Sequence, residues 1–198
     1  MIQDAFFIEN YLLVSCILVL IMSIKIMQIK QFSILSVLII IFFFFPGQKL
    51  FSKELEKFND WTAFAEGEGK NLACMAVSKP KKAEGDYTKR GDVFAIVTHL
   101  PGQKKWNEFS VVAGYNYKTN SNPDIFIDQK KFQLFTSGSR AWSFSPSDDE
   151  KIIKFLKKSI KMKVVGTSSR GTITSDTFSL MGFSKAYQKI NEACKKDK

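Results

Sequence analysis

Histidine is almost absent from this chain, since His99 is the single one among 198 residues. A zinc centre needs several His, Cys or carboxylate ligands at defined spacing, and the sequence holds no such cluster. It also lacks a Cys-x-x-Cys pair, a Gly-x-Ser-x-Gly elbow and a phosphate loop ending in Lys-Ser or Lys-Thr. These absences argue against a metalloenzyme, a thiol oxidoreductase, an α/β-hydrolase and a P-loop protein. We therefore predict a protein that is not an enzyme and uses no cofactor.

Arginine is also scarce, because the only three are Arg90, Arg140 and Arg170. From Lys53 onward, 26 Lys and Arg residues stand against 17 Asp and Glu residues, a net charge of +9. Proteins that read nucleic acid favour the arginine fork, whereas lysine supplies attraction without direction. The composition indicates a basic surface and no nucleic-acid partner. That surface is either simply solvated or attracts an anionic partner.

Long hydrophobic runs are confined to residues 5–51. Residues 33–45 are almost wholly apolar, follow Lys25 and Lys30, and end at Pro46-Gly47. A positive flank, a short apolar stretch and a helix breaker are typical of a secretory signal peptide, and a membrane-spanning helix needs about 20 residues. A second apolar run upstream, residues 11–24, leaves two alternatives open.

Translation could begin at Met22 or Met27, which leaves an ordinary signal peptide, and we favour this alternative. Otherwise both runs insert as a helical hairpin, with Lys25 and Lys30 on the cytoplasmic side. Either arrangement exports the remainder of the chain. We predict a targeting region over residues 1–52, acting as a signal peptide or anchor, and an exported domain over residues 53–198. The expected location is periplasmic or secreted, or at the inner membrane if the segment stays uncut.

The exported domain alternates short apolar segments with Gly, Pro and Asn turns, which predicts roughly eight β-strands. Residues 79–91 read as a polar loop. Ser145 followed by acids is a helix start, and residues 182–196 show helical spacing. The predicted fold is mainly β, a β-sandwich or small β-barrel with two helices, one of them C-terminal.

Three cysteines occur in the chain. Cys16 lies in the targeting region, which leaves Cys74 and Cys194 as an even pair in an exported domain. Such a pair is most simply a structural disulfide.

A few polar and aromatic residues of the domain are candidates for a binding surface. His99 stands at a strand end, where holding a loop by a hydrogen bond is the commoner role, and the glycine-bounded stretch 166–171 reads as a hairpin turn in which Gly171 adopts positive φ. The tryptophans are expected to anchor the core more often than to bind. The candidate residues are His99, Trp106, Tyr115, Tyr117 and Arg170.

Several ordered motifs resemble the invasion-associated locus B family of bacterial exported proteins, from about Asp60 to Lys195. The motifs are Asp60-Trp61, Cys74, Val97-Thr-His-Leu-Pro101, Asn107-Glu-Phe-Ser-Val-Val112, Gly114-Tyr115, Lys131-Phe-Gln-Leu-Phe-Thr136, Ala141-Trp142, Gly166-Thr-Ser-Ser-Arg-Gly-Thr172, Asp176-Thr-Phe-Ser-Leu180, Gly182-Phe183 and Ala186 up to Cys194.

The resemblance implies a periplasmic or envelope-associated protein with a Cys74–Cys194 bridge, and it supplies no catalytic residues. The leading hypothesis is a non-enzymatic protein that binds an envelope protein or an anionic surface. A membrane could also be contacted through the N-terminal segment. The alternatives are a small-ligand-binding β module near Trp106, Tyr115 and Tyr117, and a hydrolase that uses His99.

Overall fold

The structure, a computed structural model, describes residues 52–195. The predicted targeting run with Cys16 lies outside the described residues. Leu50–Lys198 form one compact unit. Within residues 52–195, no helix combines the length and the apolar character needed to span a bilayer.

Eleven strands and two helices build the described domain. The strands are β1 (Lys53–Phe58), β2 (Trp61–Glu66), β3 (Ala73–Ser78), β4 (Lys82–Gly85), β5 (Phe94–Leu100), β6 (Lys105–Val112), β7 (Asp124–Ile127), β8 (Lys130–Ser137), β9 (Arg140–Ser143), β10 (Lys161–Thr167) and β11 (Ile173–Ser179). The helices are α1 (Pro146–Leu156) and α2 (Phe183–Ala193).

All strands join one antiparallel sheet, in the order β1-β2-β3-β5-β6-β9-β8-β7-β10-β11-β4. Strand β8 connects its two halves: Lys130 to Gln133 pair with β7, and Leu134 to Ser137 pair with β9. The sheet is open, with β1 and β4 at its edges. Both edge strands carry charged side chains, which discourages pairing with other chains.

Strand β4 corrects the expectation of a loop over residues 79–91. Its sequence, Lys-Ala-Glu-Gly, has no apolar alternation, and all four residues are exposed. Pairing of Lys82 to Gly85 with β11 creates the strand. Because β4 pairs only with β11 and buries no side chain, its sequence shows no apolar–polar alternation from which a strand could be predicted.

The helix starts agree with the sequence. Ser145 caps α1, and its Oγ accepts the Asp148 backbone N–H at 3.2 Å. Asp148 and Asp149 lie in the first turn, where negative charge is favourable. Helix α2 buries an apolar stripe against β1, β2, β3 and β5. Its buried residues are Phe183, Ala186, Tyr187 and Ile190.

A single apolar cluster joins both halves of the sheet and both helices. Trp61 is fully buried in it, and its indole N–H donates to the Ser179 carbonyl at 3.0 Å, so β2 lies against the end of β11. The prediction of a mainly β domain with two helices, one C-terminal, is confirmed. The helix-packed sheet folds around one core without closing into a continuous barrel.

The predicted disulfide is present between Cys74 and Cys194, whose Cα atoms are 6.0 Å apart. It joins β3 to the C-cap of α2 across a sequence separation of 120 residues. Both cysteines are buried, at 0% and 4% exposure. The bridge therefore fixes the last helix to the sheet from inside the core.

Removing the bridge with Cys74→Ala and Cys194→Ala is expected to lower the free energy of unfolding by about 4 to 5 kcal/mol, because a long unfolded loop is no longer closed. Urea denaturation of residues 50–198 measures the change. Reductant should weaken the parent domain and leave the double variant unaffected. Equal midpoints for the parent and the double variant would contradict the assignment.

Candidate binding surfaces

The five candidate residues do not form one surface. His99 is fully buried, and Tyr117 is only 7% exposed. Trp106 lines one groove, while Tyr115 and Arg170 line another. Strand register thus sends these side chains to separate parts of the described domain.

His99 serves the core. Its Nδ1 accepts the Asn107 backbone N–H at 3.0 Å, so the proton of the neutral ring lies on Nε2, which donates to Asn191 Oδ1 at 2.8 Å. Its ring also packs against Trp106 and Tyr187, with centroids 5.3 and 5.7 Å away. The predicted loop-holding role is confirmed. A ring with no exposure and two occupied nitrogens cannot reach a substrate as a general base.

The first groove, called the basic groove, has a volume of about 550 Å³. Its walls are residues 86–90, the segment at Tyr115 and Asn116, and the turn between β10 and β11. The Ser169 backbone N–H donates to the Asn116 carbonyl at 2.8 Å, which ties the two walls together. Gly171 in that turn has a φ of +88°, as its sequence context predicts.

Arg90 lies at the floor of the basic groove and forms a buried ion pair with Asp176 beneath it. Two hydrogen bonds of 2.7 Å join the guanidinium to the two carboxylate oxygens. Arg90 Nε donates to the Ala113 carbonyl at 2.7 Å. Burial opposes the charge on Arg90, but the hydrogen bonds and attraction from Asp176 outweigh it and raise the pKa of Arg90 above its usual value. The pair is therefore internally neutral.

Two tyrosines pack beside this pair. The Arg90 guanidinium carbon lies 4.8 Å from the Tyr115 ring centroid, and the Tyr115 hydroxyl is hydrogen-bonded to Thr174 Oγ1 at 2.7 Å. Burial raises the pKa of both Tyr115 and Tyr117, so both hydroxyls stay neutral. A Cβ at Gly166 would lie 2.8 Å from the Tyr115 hydroxyl oxygen, so the close packing requires this glycine.

The rim of the basic groove carries unpaired cations. Lys89 and Arg170 are exposed, and among residues 52–195 neither has an acidic side chain within 4 Å. Asp86 is the acid on the same rim. Because Asp176 neutralises the charge of Arg90, the net charge of the groove is set by the residues on its rim.

The second groove, called the aromatic groove, has a volume of about 750 Å³. Trp106, Phe135, Trp142 and Phe144 line it. Phe135 and Trp142 are directly opposite on β8 and β9 and stack with centroids 5.6 Å apart. Phe135 is 39% exposed and Phe144 is 55% exposed. The expectation that tryptophans anchor the core holds for Trp61, whereas Trp106 and Trp142 are half-buried.

Asp149 lies at the base of the aromatic groove, on the first turn of α1. Its Oδ1 accepts the Phe109 backbone N–H at 2.8 Å, which links α1 to β6. Burial raises the pKa of Asp149, against the opposing effects of this hydrogen bond and of the Ser143 hydroxyl. The acids of the helix start thus include one structural carboxylate.

Sequence reasoning missed several groove residues. Lys89 and Arg90 lie in a segment that reads as an ordinary polar loop, and Asp176 lies in an alternating strand. Phe135 and Phe144 could have been recognised from the sequence. Each is a large aromatic residue at a position where strand alternation predicts that the side chain faces solvent.

Residues 61–191 match the family model described as invasion associated locus B (IalB) protein. The match spans well over half of the chain and includes both grooves. The chain belongs to the invasion associated locus B family. No match was found among curated proteins or solved structures.

The resemblance seen in the sequence motifs is therefore confirmed. The invasion associated locus B family is generally not a family of enzymes. Within residues 52–195 of this family member, no three His, Cys, Asp or Glu side chains are placed to hold a metal ion.

Breaking the floor of the basic groove should be costly. Asp176→Asn leaves the Arg90 charge buried without a counterion, and the free energy of unfolding should fall by about 3 to 5 kcal/mol. Urea denaturation measures it. Asp92→Asn is the matched control, because its ion pair with Lys79 is 71% and 63% exposed and should contribute at most about 1 kcal/mol. A similar small loss in both variants would show that the buried pair does not stabilise the fold.

Proposed function

We propose that this invasion associated locus B protein is an exported, non-catalytic binding module of the bacterial envelope, whose basic groove holds an anionic group of its partner. The observation that carries the proposal is the pair of exposed cations without an acidic partner, Lys89 and Arg170, on the rim of a groove with a neutral, hydroxyl-bearing floor. Phosphate and carboxylate groups fit this combination, since cations attract them and hydroxyls donate to their oxygens.

Export is supported by the apolar N-terminal runs and by the buried disulfide, because such bridges persist outside the reducing cytoplasm. Attraction over distance is supported by the net charge of +9 from Lys53 onward. A surplus of positive charge raises the local concentration of anionic partners and speeds their encounter, most strongly at low salt. The basic groove would then be the site at which the anionic group of the partner binds.

The proposal that the protein is not a catalyst is supported by the hydrogen bonds that its buried polar side chains make within the domain. His99 is committed to two hydrogen bonds in the core, Asp176 to Arg90, and Asp149 to a backbone N–H. A catalytic acid or base needs a free position beside a substrate. Each of these groups instead stabilises the fold.

Charge reversal at the rim tests the proposal. Lys89→Glu with Arg170→Glu should weaken binding to polyphosphate by about tenfold or more, because attraction becomes repulsion at the groove. Titrations at several salt concentrations measure the Kd and its salt dependence. A carboxylate polymer, polygalacturonate, run in parallel shows which anionic group the groove prefers.

The control reverses two exposed lysines away from the groove, Lys70 and Lys130, and has the same net charge. If both double variants lose affinity equally, attraction is spread over the surface and the groove is not the binding site. Unchanged binding of the rim variant would also overturn the proposal.

A second candidate function, a small-ligand-binding module, is favoured by the aromatic groove alone. Exposed aromatic side chains around a groove of about 750 Å³, with a few polar groups at its rim, are typical of small-molecule sites. Its ligand would place an apolar face on Phe135 and Trp142.

Removing the exposed aromatics tests this second function. Phe135→Ser with Phe144→Ser should weaken binding of the apolar fluorescent probe N-phenyl-1-naphthylamine by about tenfold or more, because each side chain offers apolar area to the probe. Ile173→Ser is the control, since Ile173 is 65% exposed outside the groove. Equal losses of affinity in both variants would show that the probe binds exposed apolar side chains in general and not the aromatic groove.

A further inference from the structure

A third surface, independent of both grooves, combines cations with protruding aliphatic side chains. We call it the lysine tip, and it is formed by the loop before β10, the loop after β11 and the first turn of α2. Its residues are Lys157, Lys158, Ile160, Lys161, Met181 and Lys185.

Backbone contacts bring the two loops together. The Leu180 N–H donates to the Ile160 carbonyl at 2.8 Å, and Ser184 Oγ donates to the Lys157 carbonyl at 3.4 Å. Lys161 is paired with Ser179 in the β10–β11 register. Residues on either side of position 160 and position 181 therefore share one end of the domain.

The aliphatic side chains of the tip face solvent. Ile160 is 76% exposed and Met181 is 56% exposed. Ile160 lies in a short loop before β10, and Met181 lies in a short loop before α2. Polar residues are the usual choice in solvent-exposed turns of this kind. Exposing two large apolar side chains to water gives no stability to the folded domain.

The lysines of the tip have no acidic partner. Among residues 52–195, none of the four has a carboxylate oxygen within 4 Å of its Nζ. Two carboxylates border the tip and are engaged elsewhere: Asp60 pairs with Lys81 at 2.6 Å, and Asp128 accepts the Ser159 hydroxyl. The Lys157 Nζ lies 4.0 Å from the Tyr187 ring centroid, a contact that leaves its charge intact, so the tip keeps its positive charge.

We propose that the lysine tip docks on an anionic phospholipid bilayer, with Ile160 and Met181 entering the headgroup boundary and the lysines lying among the lipid phosphates. Clusters of four or more lysines bind anionic leaflets, and apolar side chains at the interface add a term that salt does not screen. A soluble polyanion would use the lysines and leave the aliphatic side chains in water. The pairing of both chemistries favours the bilayer.

Vesicle co-sedimentation of residues 50–198, which form a compact unit around their own core, tests the proposal. Vesicles of equimolar phosphatidylglycerol and phosphatidylcholine should bind the domain, and pure phosphatidylcholine should bind it weakly. Lys158→Gln with Lys161→Gln should weaken binding about 25-fold, since each lysine near an anionic surface contributes about fivefold. Ile160→Ser with Met181→Ser should weaken it about tenfold or more, even at high salt.

Two controls separate this proposal from the proposed function. Lys53→Gln with Lys70→Gln has the same charge change at two exposed lysines away from the tip, and it should bind vesicles nearly as the parent does. Lys89→Glu with Arg170→Glu should lose polyphosphate and keep most vesicle binding, while the tip variants should do the reverse. Near-ultraviolet circular dichroism verifies that each variant is folded.

The proposal is overturned if the tip variants bind vesicles as the parent does, or if the control lysines matter equally. It is also overturned if the Ile160 and Met181 variant is unaffected, because the contact would then be electrostatic only. Loss of polyphosphate binding in the tip variants, with vesicle binding intact, would assign the tip to a soluble polyanion.

Discussion

The buried pair of Arg90 and Asp176 is the constraint on which the basic groove depends. Two charges taken out of water are costly unless each is fully hydrogen-bonded, and here both carboxylate oxygens and three guanidinium nitrogens are used. The pair joins the segment before β5 to β11, which lies in the other half of the sheet. Tyr115 and Thr174, whose hydroxyls are hydrogen-bonded at 2.7 Å, pack at this junction.

A second set of contacts fixes the opposite part of the domain. The disulfide holds the end of α2 to β3, and the hydrogen bond from His99 to Asn191 holds α2 to β5. The Tyr187 hydroxyl donates to Asn107 Oδ1 at 2.6 Å, and this bond connects α2 to β6. The single histidine, which invites a catalytic interpretation in the sequence, thus belongs to the attachment of a helix.

Among the described residues, the buried charges of Arg90 and Asp176 are paired, whereas the cations of the groove rim and the tip are exposed. Where acid and base meet in the interior, as in Arg90 and Asp176, the charges cancel and serve the fold. Where lysines stand at the rim of the basic groove or on the tip, they have no acidic partner and remain available. This division agrees with the proposal that the protein attracts anionic partners through its surface, while its buried polar groups stabilise the fold.

Features that depend on neighbouring residues could be predicted from the amino-acid sequence. Strand alternation, the Ser145 helix cap and the positive φ of Gly171 act over a few positions, and the Cys74–Cys194 pairing followed because the domain holds only two cysteines. The two grooves, the burial of His99 and Tyr117, and strand β4 depend on contacts between distant segments and are visible only in the folded domain. Arg90 and Asp176 are 86 residues apart, and their meeting depends on sheet register and on the pairing of β8 with both β7 and β9, which no local pattern encodes.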